Sequence, residues 1–74
     1  MTTPDGLSRT EIEKAIQEWI VGRHAERDRR IFARRILDGI TYNELAYEFS
    51  LSPRQIANIV YRCESIIYPR LLYM

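Results

Sequence analysis

Cysteine occurs once in this chain, at Cys63. A single thiol forbids an internal disulfide and any multi-cysteine zinc site, and it fits a reducing compartment. Histidine also occurs once, and His24 has no second histidine or cysteine near it, so no metal is expected. Long apolar runs are missing, and residues 1–8 lack the basic start and apolar core of a secretory signal. No membrane contact is therefore expected, and the expected location is cytoplasmic. An excess of one charge is missing too: eleven basic side chains meet ten acidic ones, for a net charge of +1. That balance weighs mildly against nucleic acid, whose binders are usually basic overall. Length is short as well. A chain of 74 residues is one domain, with no room for a cofactor-binding sheet or a barrel. It buries only roughly 60% of the surface its unfolded form exposes. A concave catalytic pocket is hard to build at that size, so neither an enzyme nor a cofactor is expected.

What is present is helical periodicity with clear punctuation. Glycine and proline number three each and fall at segment edges. Residues 1–7 form a polar lead, expected to be flexible. Ser8-Arg9-Thr10-Glu11 is a capping-box pattern, and Leu7 before it is placed to act as a hydrophobic staple. Ile12, Ala15, Ile16, Trp19 and Ile20 follow at spacings of three and four, which predicts a helix over 8–22 with Gly22 as its stop. A second helix is predicted over 25–38, with Ile31, Phe32, Ile36 and Leu37 as its apolar stripe and Gly39 as a left-handed cap. Thr41 to Glu44 and Ser52 to Gln55 repeat the box pattern, the latter with Pro53 at the first helical position. They open helices over 42–49 and 53–67. Pro69 opposes continuation through Tyr68, leaving 68–74 as an apolar tail. No strand-type alternation competes. The fold class is all-α: a small four-helix domain containing a helix-turn-helix.

The helix-turn-helix lies in residues 42–61. Two helices crossing over a tight turn need a small residue at the close approach, and Ala46 supplies it. Leu45, Phe49, Leu51, Ile56 and Ile59 stand at offsets that lock the crossing, and Ser50 holds the place where such turns often have glycine. At 100° per residue, Ile56, Ile59, Val60, Cys63 and Ile67 gather on one side of the last helix. Arg54, Asn58, Tyr61 and Ser65 gather on the other, with Ala57 and Arg62 beside them. Arginine reads guanine bidentately, asparagine reads adenine, and tyrosine or serine reaches phosphate. The competing reading is a solvated face on a core helix. The neighbouring short helix, turn and caps favour DNA.

Arg30-Ile31-Phe32, the run from Arg35 through Gly39, Thr41 and Glu44-Leu45-Ala46, and Leu51-Ser52-Pro53-Arg54-Gln55-Ile56 together resemble region 4 of bacterial sigma factors. The LuxR-type DNA-binding domain shares the pattern. The resemblance covers about residues 27–67. It implies that helix 53–67 enters the major groove and that Thr41 and the start of helix 42–49 touch phosphates. It further implies that Arg54, Gln55, Asn58, Tyr61 and Arg62 include the base and backbone contacts. The chain has no room for the promoter-opening and polymerase-holding regions of a complete sigma factor, nor for the receiver or ligand domain of a typical LuxR-type regulator.

The charges are unevenly spread. Residues 1–22 carry Arg9 and Lys14 against Asp5, Glu11, Glu13 and Glu18, whereas residues 23–35 carry six arginines against Glu26 and Asp28. Arg27, Arg30 and Arg34 share one face. Arginine forks suit phosphate, which makes Arg30 and Arg34 candidate backbone contacts beside Ser52 and Thr41. A solvated face with local Glu–Arg pairs is the equal alternative. Trp19 is expected in the core, and Tyr42, Tyr47, Tyr68 and Tyr73 as half-buried covers. His24 is expected to cap the end of the first helix, and Cys63 to be a buried hydrophobe rather than a nucleophile.

The expected function is therefore sequence-specific binding of double-stranded DNA in bacterial or phage transcription regulation. The alternative is a sigma-like interaction module that docks on RNA polymerase or a regulator without reading DNA. The apolar C-terminal segment either docks within the monomer or forms a homodimer interface.

Overall fold

The computed structural model describes residues 8–72. Four helices follow one another: α1 (Arg9–Trp19), α2 (Ala25–Asp38), α3 (Tyr42–Phe49) and α4 (Pro53–Leu72). Among the described residues there is no β-strand. The caps act where the sequence places them. Ser8 Oγ accepts from the Glu11 amide at 3.1 Å, and Thr41 Oγ1 from the Glu44 amide at 3.1 Å. At Ser52 the box closes both ways: its hydroxyl accepts from the Gln55 amide at 3.1 Å, while its own amide donates to Gln55 Oε1 at 2.8 Å. Each such cap contributes about 1 kcal/mol. Leu7, the expected staple, lies outside the described residues.

The core is built from one stripe of each helix. Phe32, Ile16, Ile31, Leu45, Ile56, Ile67, Val60 and Cys63 are its fully buried members. Helix α4 packs against all three others, so its inward face of Ile56, Ile59, Val60, Cys63 and Ile67 forms the axis of the domain. Helix α3 ends in a Schellman turn. Ser50 adopts the left-handed conformation (φ 56, ψ 42), and its amide and that of Leu51 return to the carbonyls of Tyr47 and Ala46 at 3.4 and 2.9 Å. Buried Ala46 lets α4 approach, and Leu51 folds down onto the core. Gly39 closes α2 in the same left-handed region, as expected.

Five expectations are corrected. Helix α1 stops at Trp19, not at 22. Ile20 leaves the helix with extended backbone, buries its side chain and presents its carbonyl to Arg29 Nε at 2.7 Å. The chain then turns through Gly22, whose φ of 118 only glycine adopts readily. Trp19 is consequently not core: it is 41% exposed and is covered by Arg70, whose guanidinium carbon lies 4.2 Å from the ring centroid. His24 does not cap α1. It occupies the N-cap position of α2 without a side-chain cap bond. Finally, α4 continues past 67 to Leu72 with Pro69 inside it. Proline removes one helical donor and crowds the preceding turn. The continuation is held from outside: Ile67 is fully buried, Leu71 packs on the core, Tyr68 meets Phe32 with ring centroids 6.4 Å apart, and Arg70 reaches Trp19. The described part of the C-terminal segment thus docks within the chain. Among the tyrosines, Tyr42 is half-buried, Tyr68 is 40% exposed and Tyr47 stands 91% exposed on α3, so it is no cover; Tyr73 lies outside the described residues.

Candidate nucleic-acid interface

Helix α4 presents two chemically opposite faces. Its outward face carries Arg54, Asn58, Tyr61 and Ser65, all exposed, with Tyr61 at 73%. Ser65 Oγ donates back to the Tyr61 carbonyl at 3.1 Å and so stays on the helix. Arg54 and Asn58 have no hydrogen-bond or ion-pair partner among the described residues. From Arg54 to Tyr61 the helix rises ~10 Å, close to the ~12 Å width of a B-DNA major groove. Gln55 is exposed too, but its side-chain oxygen is spent on the Ser52 amide. The hydroxyls of Thr41 and Ser52 accept cap bonds and keep their own protons to donate.

The arginines of α2 divide by neighbour. Arg29 Nε holds the Ile20 carbonyl at 2.7 Å, and Arg35 donates to the Ile40 carbonyl at 3.2 Å while stacking 4.8 Å from the Tyr42 centroid. Both brace loops. Arg30 and Arg34, which share a face as expected, turn toward the end of α3. Arg30 lies 5.6 Å from the Phe49 ring centroid, and Arg34 Nε stands 2.8 Å from Glu48 Oε2. That last contact is an ion pair rather than an aligned hydrogen bond, since Arg34 Nε is buried without an acceptor in line. Arg34 therefore spends much of its charge within the fold. Arg23 remains exposed at the start of this run.

Asp28 was not among the residues that the sequence pattern singles out. It is 8% exposed and is the buried charge among the described residues. Its Oδ1 accepts from Arg27 Nε at 3.1 Å, and its Oδ2 from Arg62 Nη2 at 3.0 Å. The carboxylate thereby ties α2 to the edge of the outward face of α4. A signal existed: Asp28 stands three and four residues before Ile31 and Phe32, on the inward stripe of its helix, where an acid needs a partner. Cys63 sits close enough to feel that charge. Burial, reinforced by Asp28, pushes its thiol up to about 11, which leaves it protonated at neutral pH.

Among the described residues no cluster of histidine, cysteine or carboxylate groups could hold a metal ion. No helix among them is long and apolar enough to cross a membrane. No protein-family model matches the chain, and comparison with curated proteins and with solved structures returned no match.

Proposed function

We propose that this protein binds double-stranded DNA in a sequence-specific manner in transcription regulation. In this reading α3, the turn at 50–52 and α4 form a helix-turn-helix, and α4 is the recognition helix. The observation that carries it is the outward stripe of α4, where Arg54, Asn58 and Tyr61 stand exposed at successive turns, the first two unpartnered among the described residues. Bidentate arginine and asparagine are suited to guanine and adenine edges. Tyr61, Thr41 and Ser52 carry hydroxyls suited to phosphate, while Arg30 and Arg62 stand beside them as cations. Arg34 and Gln55, both engaged within the fold, contribute less. The resemblance of residues 27–67 to sigma region 4 and to the LuxR-type domain supports the same assignment and points to a bacterial or phage setting.

A second reading has an observation of its own. The outward face of α3 carries Glu44, Glu48 and the strongly exposed Tyr47, a surface better suited to a protein than to phosphates. It fits a module docking on RNA polymerase or a regulator. Selection from a random duplex library, followed by NMR shift mapping with the enriched site, separates the two. Shifts centred on residues 53–62 support DNA reading by α4. Failure to enrich any site, or shifts confined to 8–22 or to α3, contradict it.

A further inference from the structure

We infer that Asp28, Arg27 and Arg62 form a built seat for one backbone phosphate of the duplex, at the edge of the α4 face; this rests on the DNA-binding reading above. A carboxylate buried in so small a core is costly unless it is paired. Here both its oxygens are taken, by arginines of two different helices, at 3.1 and 3.0 Å. Each of these bonds uses one of the five N–H groups of a guanidinium, so donors remain on both arginines, and the Arg62 side chain is 60% exposed. One negative charge between two positive ones leaves a local positive excess, the sign a phosphate requires. Arg27 also lines a groove of about 330 Å³ whose other walls are Arg23, His24, Arg30, Phe49 and the single acid Glu26. Cationic groups therefore gather on the α2 side of the seat, and through Asp28 Arg27 is joined to Arg62, which borders Asn58 and Tyr61 on α4 by helical spacing.

Asp28 acts in this seat as a positioning residue. A free arginine must give up rotamer freedom when it binds; the buried carboxylate removes that cost in advance. Pre-orientation of this kind explains why an acid is kept against an otherwise basic surface.

The test turns on a sign. Asp28→Asn keeps the shape and deletes the charge. If the carboxylate only repelled DNA, its loss would tighten binding; a positioning role makes the loss weaken it. Titration of a mixed-sequence duplex about two helical turns long suffices, because phosphate contacts are independent of sequence. D28N, checked as folded by circular dichroism at the assay temperature, should bind on the order of tenfold more weakly than wild type. R62K retains the charge without the fork and lies outside the core, so it keeps the test open if D28N unfolds; it should weaken binding with the salt slope preserved. R62A should reduce the slope of log affinity against log salt by about one. D28N binding as tightly as wild type or tighter, or R62K at unchanged affinity, overturns the seat and leaves the DNA reading standing. A wild-type protein that binds no duplex overturns the DNA reading itself.

Discussion

The guanidinium of Arg70 covers the indole of Trp19, 4.2 Å from guanidinium carbon to ring centroid, and so fastens the last turns of α4 to the end of α1. An exposed cation–π pair of this kind contributes about 0.5–1 kcal/mol. Arg70→Ala should therefore lower the melting temperature by a few degrees, and a Trp19→Ala/Arg70→Ala cycle should show coupling of that size. Zero coupling in thermal unfolding would make the stacking incidental.

Pro69 sits inside α4 against its own preference, held there by Ile67, Tyr68 and Leu71. Pro69→Ala restores a donor for the Ser65 carbonyl and removes the ring clash, at the cost of a freer unfolded chain. The net gain should be roughly 1 kcal/mol, read as a higher urea midpoint at unchanged slope. A loss of stability would show that Pro69 itself is needed for the docking of Tyr68 on Phe32.

Ser50 carries positive φ in the turn between α3 and α4. A left-handed residue with a side chain costs roughly 1–2 kcal/mol, part of which glycine returns to the unfolded state. Ser50→Gly should stabilise by about 0.5–1 kcal/mol, and β-branched Ser50→Val should destabilise by more than that. Equal stability of the two variants in chemical denaturation would contradict the left-handed turn.

Cys63 should resist alkylation at neutral pH and react only at the rate of opening, because its thiol is buried and its pKa is raised to about 11. The sign for stability follows directly. The unfolded thiol ionises near its ordinary value while the folded one stays protonated. This contribution is intact below the unfolded pKa, falls as pH rises from there toward 11, and is then exhausted. Loss from this group should be on the order of 2 kcal/mol and absent from Cys63→Ala. Equal alkaline profiles for the two proteins would contradict it.

Much of the fold is legible locally. Ser8, Thr41, Ser52, Gly39 and Ser50 act through bonds that span three to five residues, which is why their patterns can be read along the chain. The failures share a cause in tertiary packing. Nothing near Trp19 in sequence announces Arg70, and nothing near Tyr68 announces Phe32; burial of Ile20 and its bond from Arg29 fix where α1 stops, and the contacts of Ile67, Tyr68, Arg70 and Leu71 carry α4 past Pro69. The candidate site divides in the same way. Periodicity alone separates the inward and outward faces of α4. Spacing puts Arg30 and Arg34 on one face but does not name Phe49 and Glu48 as their neighbours. Asp28 stands on the inward stripe of α2, where an acid needs a partner, but that partner, Arg62, lies 34 positions away and cannot be read from spacing. The net charge of +1 carries little weight once an acidic α1 region and an arginine-rich α2 are seen to cancel.

In the proposed complex Arg54 and Asn58 read base edges. Wild type and an Arg54→Ala/Asn58→Ala double variant should be titrated, at one fixed salt concentration, against the enriched duplex and a mixed-sequence duplex of equal length. Both residues are exposed and outside the core, so the variant should stay folded. Two base contacts contribute on the order of a hundredfold in discrimination. The double variant should bind both duplexes with the affinity wild type shows for mixed sequence; an undiminished preference for the enriched site would rule out base reading by Arg54 and Asn58.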